Sequence, residues 1–192
     1  MKHNNIDVVV VGGGHAGVEA ANIISKLGLV VGLISMDKGG IGRMSCNPAI
    51  GGVAKGQLVR EVDLLGGLMA KIADLSGLQH KMLNKSKGRA VWSPRAQVDK
   101  RKYESLCSRL IVNSKNIIII EGEVVSIDIV KNKITGVNLR DGTKILSRSV
   151  VVTCGTFLSG VIHIGDRKAA AGRMGEARSE GITENLVSFG FR

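Results

Sequence analysis

The chain has 192 residues, a formal net charge of +11 and an apolar fraction of 44%. These values are typical of a globular chain that can bury a sizeable core, and they exclude a disordered tail. No window reaches the roughly 18 apolar residues that a membrane-spanning helix needs, so we expect no membrane association. The first residues also lack the cationic and apolar blocks of a signal peptide.

The three cysteines, Cys46, Cys107 and Cys154, are odd in number and widely spaced. This usage argues against a disulfide framework and indicates a reducing, cytoplasmic compartment. The histidines show no metal-ligand spacing, so no metal site is expected. The positive charge indicates either a polyanionic partner or a basic solvated surface.

The first 34 residues show the pattern of a βαβ unit. Ile6–Val11 is a short apolar run rich in β-branched residues, typical of a strand buried on both faces of a parallel sheet. Helix-forming composition follows over Val18–Leu27, and Gly28 is placed to end that helix. Leu29–Ile34 is predicted as the second buried strand.

Between the predicted strand and helix lies the motif Gly12-x-Gly14-x-x-Gly17. In this context Gly12 permits a tight turn, Gly14 lets the backbone approach a pyrophosphate, and Gly17 lets helix and strand pack closely. The anion would lie against free N–H groups at the positive end of the helix dipole. The alternative is a glycine-rich turn without a ligand. Ser35 and Asp37, not a single acid, stand at the ribose position, which weakens an NAD interpretation more than dinucleotide binding in general.

The middle of the chain predicts two helices and a basic stretch. Leu58, Val62, Leu65, Met69 and Ile72 recur at helical spacing and predict one amphipathic helix. A second helix is predicted after Pro94, running to about Val112. Its inward residues are expected to be Val98, Leu106 and Leu110. Residues 81–102 carry eight Lys and Arg against Asp99 alone, with Trp92 among them. This stretch is either a phosphate-binding surface with a stacking face or a solvated surface.

Further short strands are predicted in the second half of the chain. Ile117–Ile120 reads as another buried strand, and Val150–Thr153 as a buried strand that returns to the central sheet. Between them an antiparallel meander is predicted, with turns at Asn132-Lys133 and Asp141-Gly142; its strands are Val124–Val130, Ile134–Leu139 and Lys144–Leu146. From Gly155 the sequence is expected to be irregular as far as a helix over Ile182–Phe189.

Cys46 lies in a polar loop shortly before a predicted helix, with Arg43 nearby. Such a position can activate a thiol as a nucleophile, although a small buried thiol is the alternative. Cys107 falls near the apolar face of a predicted helix, so core packing is its expected role. Cys154 ends a predicted buried strand and is expected to be structural.

Longer motifs extend over nearly the whole chain and together resemble one family. They are Gly12–Ala21, Met44–Gly52, Lys55–Val59, Glu61–Asp63, Leu65–Ala70, Asn84–Gly88, Arg95–Gln97, Gly155–Leu158, Ile162–Gly165 and Gly172–Glu176. This combination resembles the flavoprotein family that modifies the wobble uridine of tRNA, the MnmG or GidA family.

The resemblance implies an α/β fold: a Rossmann-like FAD-binding domain of the two-dinucleotide-binding flavoprotein type. It implies an FAD-binding domain over residues 1–165, with a basic helical insertion at about 53–112 and a β-meander at about 123–147. Residues 166–192 would begin a truncated substrate or second-nucleotide domain. The family's chains are several hundred residues longer, so we expect this chain to be an N-terminal piece that is inactive alone.

The resemblance also implies site residues and partners. It places FAD at Gly12, Gly13, Gly14, His15, Ala16 and Gly17, with Val124 at the adenine end through its backbone and Ser179 as a further contact. Cys46 becomes one of two catalytic cysteines. The implied reaction adds a (carboxymethyl)aminomethyl group to C5 of the wobble uridine, using methylenetetrahydrofolate as one-carbon donor, glycine or ammonium as amine source and NADH as reductant. The implied partners are tRNA and a GTPase, in a heterotetramer with a homodimer of this protein.

Two other functions stay open. The chain could be a non-catalytic FAD-binding fragment, as its length suggests. It could also be a small-molecule flavin oxidoreductase, against which the Cys46 loop and the basic stretch argue. A test for tRNA binding would discriminate the last interpretation from the tRNA-modifying enzyme.

Overall fold

The structure is a computed structural model that describes residues 6–45 and 47–191. The helices in this part of the chain are α1 (His15–Lys26), α2 (Lys55–Leu64), α3 (Met69–Ser76), α4 (Lys100–Val112) and α5 (Ile182–Ser188). The strands are β1 (Val8–Val11), β2 (Val31–Ser35), β3 (Ala49–Gly51), β4 (Gly77–Leu83), β5 (Ser93–Val98), β6 (Ile117–Glu121), β7 (Val124–Val130), β8 (Lys133–Leu139), β9 (Lys144–Leu146), β10 (Ser149–Val152), β11 (Val161–Ile164) and β12 (Arg167–Ala170).

The chain divides into two compact units. We call Met1–Gly40 with Lys115–Arg192 the sheet unit, and Ile41–Ser114 the basic unit. The basic unit carries 13 Lys and Arg against 5 Asp and Glu, a balance of +8 out of +11 for the whole chain. Most of the net positive charge therefore belongs to one unit.

The sheet unit is built on a parallel sheet in the order β10-β1-β2-β6. The central strands are shielded on both faces, since Val9, Val10, Val31 and Leu33 are fully buried. In order of appearance along the chain the strands lie 4-1-2-3, which read from the other edge is the 3-2-1-4 order that begins the dinucleotide-binding fold. The predictions of β1 and β2 as buried strands are thus confirmed, since each strand also has a sheet neighbour on either side.

Helix α1 connects β1 to β2 and begins at His15, three residues before the predicted start. The Val18 N–H donates to the Gly14 carbonyl oxygen at 2.9 Å, so the glycine-rich residues themselves form the first turn. At the other end Gly28, at φ +84°, donates to Ser25, and the Leu29 N–H donates to Ile24. These two bonds form a Schellman motif and confirm the predicted helix end.

A second sheet of the sheet unit is antiparallel, in the order β7-β8-β9. Its inner side chains join those of β1, β2 and β6 in one hydrophobic cluster, which Ile182 of α5 completes. The β7–β8 turn is centred on Lys131 and Asn132, at φ +50° and +59°, one residue before the predicted turn. The predicted Asp141-Gly142 turn is confirmed, with the Thr143 N–H donating to the Asp141 carboxylate at 2.9 Å.

The ends of the sheet unit depart from prediction. Strand β10 is an edge strand and not a buried one, because it pairs only with β1 in the described residues, and Val152 is 38% exposed. The region after Gly155, predicted as irregular, holds the antiparallel pair β11–β12. Helix α5 occupies the predicted position. Within residues 6–45 and 47–191, the helices are too short or too polar to cross a lipid bilayer.

The basic unit contains an antiparallel sheet in the order β3-β5-β4. Two predictions are wrong here. Pro94 lies inside β5 rather than before a helix, and α4 begins only at Lys100, because the Asp99 side chain accepts the Lys102 N–H at 3.0 Å and caps it. The single helix predicted over Leu58 to Ile72 is two helices, α2 and α3, since the chain turns at Gly66 with φ +89°.

The buried face of α4 carries Tyr103, Cys107 and Ile111, each 1% exposed. Leu110 is 43% exposed, so its predicted inward position is wrong. These three buried residues recur every four positions, which places them on one face of the helix and Leu110 beside it. Gly42 packs against Cys107, and an added Cβ at Gly42 would clash with the thiol. The predicted core role of Cys107 is confirmed.

Candidate functional site

The glycine-rich segment between β1 and α1 is fixed by the ends of the neighbouring strands. The Gly12 N–H donates to the Ile34 carbonyl oxygen of β2 at 2.8 Å. Gly12 has φ +107°, and a Cβ there would lie 2.6 Å from the Thr153 carbonyl oxygen that follows β10. Both the backbone conformation and the close approach therefore require glycine at this position.

Gly17 is required for a different reason. It is buried in the first turn of α1, and a Cβ would clash with the Gly12 carbonyl oxygen and lie 2.9 Å from Thr153 Oγ1. The absence of a side chain lets the helix pack directly on the loop. This is the close packing that the sequence motif predicts for its third glycine.

Gly14 differs from both, because the protein itself does not require glycine there. Its φ of −70° and ψ of −176° are extended values that any residue adopts. Gly14 is exposed, and an added Cβ would meet nothing within 4 Å. The open space in front of Gly14 is a place where a ligand could lie directly against the backbone.

The electrostatics of this end of α1 favour an anion. Gly14 is the N-cap and has no side chain to accept the first N–H groups, which lack partners within the helix by geometry. No acidic residue occupies the first turn, and Lys26 lies in the last turn. His15 is half-buried and Ala16 exposed at the helix start. This arrangement fits a pyrophosphate at the positive end of the helix dipole.

Thr153 is a site residue that the sequence did not reveal. Its hydroxyl donates to the Val11 carbonyl oxygen at 2.8 Å and lies 3.1 Å from that of Gly12. Its N–H also donates to Val11 at 2.9 Å. Thr153 therefore holds the turn from β1 into the glycine loop. Its only sequence signal is a hydroxyl directly after an apolar run, because the pairing of β10 with β1 spans most of the chain.

Ser35, the last residue of β2, and Asp37 lie at the same carboxyl edge of the parallel sheet. The Ser35 hydroxyl donates to the Asp37 carbonyl oxygen at 2.9 Å, and the Asp37 carboxylate accepts the Gly39 N–H at 2.8 Å. Glu121, at the end of β6, accepts the Lys38 N–H at 3.4 Å. The predicted ribose-binding pair thus shapes its own loop beside the candidate site.

Val124 and Ser179 lie in two segments that the structure brings together. Val124 is 2% exposed within the core, so its side chain is not available to a ligand. Ser179 is buried, and its main chain bonds with Phe157 and Ser159, both at 2.9 Å. A Cβ at Gly181 would lie 2.6 Å from the Val125 carbonyl oxygen. The two segments share with the glycine loop the carboxyl side of the parallel sheet, through β6 and β10.

Glu123 fastens these two segments electrostatically. Its carboxylate accepts the Glu180 N–H at 3.0 Å and a bond from Arg140 Nη2 at 2.7 Å. The bond from the Arg140 guanidinium is the main reason that the pKa of Glu123 is held below its ordinary value of 4.5. The hydrogen bond with Glu123 in turn raises the pKa of Arg140. Glu123 is therefore an anion that fixes the Ser179 segment against β7.

The structure describes two of the three cysteines, Cys107 and Cys154. Burial raises the pKa of Cys154, whose Sγ lies 3.9 Å from the Val11 carbonyl oxygen. Cys154 therefore stays a neutral thiol, in agreement with its expected structural role. Cys46 lies outside the described residues, so its catalytic role stays a prediction. In the described part of the chain no group of His, Cys, Asp and Glu side chains could hold a metal ion.

Trp92 anchors the connection between β4 and β5. Its indole N–H donates to the Lys85 carbonyl oxygen at 3.2 Å, and the Arg89 guanidinium lies 5.8 Å from the ring centroid. The Gln57 amide donates to the Trp92 carbonyl oxygen at 3.2 Å. One face of the predicted stacking platform is therefore taken by Arg89, and the indole fixes a loop that carries Lys85 and Lys87.

Comparison with known proteins gives a consistent result. Residues 7–192 match the sequence profile of the family described as "Glucose inhibited division protein A". The chain is 48% identical over 188 residues to the tRNA uridine 5-carboxymethylaminomethyl modification enzyme MnmG of Aquifex aeolicus. It is 52% identical over 187 residues to the enzyme of the same name from a Sulfurihydrogenibium species. These alignments cover 98% and 96% of this chain and 30% of each relative.

The solved structure of Aquifex aeolicus GidA superposes on the chain with a TM-score of 0.93 and 48% identity. The superposition covers 98% of this chain and 31% of that one. The chain thus spans about 30% of the length of the curated relatives it matches. The profile match includes all but the first six residues, so the chain belongs to the glucose-inhibited division protein A (GidA) family.

Proposed function

We propose that the chain binds FAD through its glycine loop and serves as the FAD-binding part of a tRNA-modifying flavoprotein. Gly12, Gly13, Gly14, His15, Ala16 and Gly17 would hold the pyrophosphate, with the Val124 backbone at the adenine end and Ser179 as a further contact. We further propose that the sheet unit belongs to a two-dinucleotide-binding flavoprotein fold. Its FAD-binding domain would comprise residues 1–165, interrupted by a basic insertion and by the β7–β9 meander, and residues 166–192 would begin the next domain.

The observation that carries FAD binding is the open backbone at Gly14. Close contacts within the protein require glycine at positions 12 and 17. At Gly14, by contrast, neither the backbone conformation nor the packing requires glycine. A ligand that presses against the helix N-terminus accounts for the glycine at position 14. The anion-favouring electrostatics of α1 support a pyrophosphate in that place.

The substrate and reaction are proposed from the relatives, which are named as tRNA uridine 5-carboxymethylaminomethyl modification enzymes. The whole protein would add a (carboxymethyl)aminomethyl group to C5 of the wobble uridine. Methylenetetrahydrofolate would be the one-carbon donor, NADH the reductant, and a GTPase the partner of a homodimer in the cytoplasm. FAD, when bound, supplies electron transfer to this reaction. The Cys46 thiolate would add to uridine C6, making C5 nucleophilic, and C5 would then bond to the donated one-carbon unit. Loss of the C5 proton and departure of the thiolate from C6 would restore the uracil ring, and glycine would supply the amine of the added group.

The direct test is to incubate the purified chain with FAD, remove free flavin by gel filtration, and record the visible absorption spectrum. The proposal predicts about one flavin per chain. A chain that is folded by circular dichroism but retains no flavin would contradict FAD binding. In parallel, fluorescence anisotropy with an anticodon stem-loop RNA tests the substrate. RNA binding favours the tRNA-modifying enzyme, whereas flavin retention without RNA binding favours a small-molecule flavin oxidoreductase or a fragment with no RNA-binding role.

A further inference from the structure

The basic unit contains a cavity of about 450 Å³ that the proposed FAD site does not use. Its walls come from α2, α3 and all three strands of the β3-β5-β4 sheet. The charged side chains that line it are Arg60, Lys81, Arg95, Asp63 and Asp74, together with His80. Six ionisable groups from four elements thus converge on one opening.

Two of these cations stand in an unfavourable arrangement. Lys81 of β4 lies directly opposite Arg95 of β5 in the antiparallel register. Like charges at opposed positions repel each other and destabilise a sheet. The adjacent pairs of the ladder, His80 with Ala96 and Met82 with Pro94, contain no carboxylate. The sheet therefore keeps a repulsive pair that it does not itself neutralise.

The helical wall of the cavity makes no direct ion pair with these two cations. Within residues 6–45 and 47–191, none of the ion pairs involves Arg60, Lys81 or Arg95. Asp63 and Asp74 line the same cavity but form no ion pair with these cations. Local repulsion of this kind, kept without a direct ion pair, is typical of a functional site.

We propose that this cavity binds a backbone phosphate of RNA, held by Lys81, Arg95 and Arg60. Three cations against two carboxylates leave one net positive charge among the Lys, Arg and Asp side chains. That balance matches a phosphodiester, which carries a single negative charge, better than the dianion of a terminal phosphate. Arg supplies a planar fork of donors and Lys a point charge, and both are common phosphate ligands.

The surroundings of the cavity favour a polymer over a small anion. No Asp or Glu occurs between residues 81 and 98, whereas Lys85, Lys87 and Arg89 lie on the connection from β4 to β5. This connection is held by the Trp92 indole N–H, so its cations project from an ordered loop. A strand with one phosphate in the cavity would meet further positive charge along the loop. The inference rests on the proposed function, because it takes RNA as the partner.

The test measures binding of a labelled anticodon stem-loop RNA to the full chain by anisotropy, over a series of salt concentrations. The variant is Lys81→Gln/Arg95→Gln, and the matched control is Lys115→Gln/Lys133→Gln, which removes two exposed positive charges from the sheet unit. We expect the cavity variant to bind about tenfold more weakly and to lose about 0.7 to 0.9 from the slope of log K against log salt concentration, as the loss of one phosphate contact requires. The control should keep the wild-type slope.

Thermal unfolding without RNA gives a second readout. Because Lys81→Gln alone removes the opposed positive charge, we expect a higher melting temperature together with weaker RNA binding. A merely structural lysine would show the reverse stability effect. If wild type binds RNA and the cavity variant matches the control in affinity and slope, the cavity inference is overturned while the proposed function stands. If wild type binds no RNA, both the inference and the proposed RNA substrate of this chain are wrong, whatever the flavin result.

Discussion

In the sheet unit, the atoms that face the candidate ligand belong to the backbone. They are positioned by strands with fully buried residues such as Val9 and Leu33 and by the Thr153 hydroxyl. In the basic unit, the candidate binding groups stand at the ends of long side chains, on a sheet whose strands are partly exposed. Backbone sites depend on close approach and therefore on glycine. Side-chain sites depend on register, which brings Lys81 opposite Arg95.

The largest effect on stability is expected from a substitution in the glycine loop itself. Gly17→Val places a branched side chain where even a Cβ would clash with the Gly12 carbonyl oxygen. We expect a loss of about 3 kcal/mol or more in the free energy of unfolding, measured by urea denaturation. Gly14→Val is the control, because its Cβ has open space. Equal stability of the two variants would contradict the described packing of α1 on the loop.

In the basic unit, Gly42 offers a comparable test of close packing. Gly42 has φ +68°, and an added Cβ would clash with the Cys107 thiol. We expect Gly42→Ala to lower the free energy of unfolding by about 2 kcal/mol, part of it from backbone strain. Because Cys107→Ala removes the clashing sulfur, the double variant should lose less than the two single variants together. Strict additivity in this double-mutant cycle would show that Gly42 and Cys107 are not in contact.

A smaller effect is expected at the start of α4. The Asp99 carboxylate accepts the Lys102 N–H at 3.0 Å, so Asp99→Ala removes the N-cap. We expect a loss of about 1 kcal/mol in urea denaturation, whereas Asp99→Asn should retain most of the capping energy. If α4 instead began near Pro94, as the sequence pattern predicts, both substitutions would be nearly neutral.

The smallest effect is a pH dependence in the sheet unit. Bonding with Arg140 lowers the pKa of Glu123 in the folded chain, so its stabilisation is complete above the ordinary value of 4.5 and is lost as pH falls through the lowered folded pKa. In urea denaturation from pH 6 to 3, we expect Glu123→Gln to remove on the order of 1 kcal/mol of the wild-type acid sensitivity. Identical pH profiles for the two proteins would contradict the assigned bonds.

The same comparison explains which features could be predicted from the sequence. Strands β1 and β2 are shielded by neighbours on both faces, so they read as apolar runs, and the glycine motif between β1 and α1 shows directly in the residue types. Strands β4 and β5 could not be predicted in this way. Gly77–Leu83 and Ser93–Val98 mix polar and apolar residues on a partly exposed sheet. Neither the alternation typical of a strand nor the spacing typical of a helix stands out in them.

Two other errors have local physical causes. The apolar spacing from Leu58 to Ile72 continues through Gly66, but that residue adopts φ +89° and ends the helical path. In α4 the aromatic Tyr103 defines the buried face with Cys107 and Ile111, whereas the prediction followed the leucines. At the site, Thr153 and the opposed Lys81–Arg95 pair arise from pairing between distant strands, which residue types alone do not reveal.

The most direct test of the central claim is the affinity of FAD for wild type and for Gly14→Leu, measured by flavin fluorescence on titration. Gly14 is exposed, and its backbone accepts any residue, so we expect Gly14→Leu to fold with wild-type circular dichroism and to lose only the difference in N-cap preference. If the pyrophosphate lies against Gly14, the leucine occupies its place, and FAD binding should weaken at least a hundredfold. A folded Gly14→Leu variant that binds FAD as tightly as wild type would show that the ligand lies elsewhere and contradict the account.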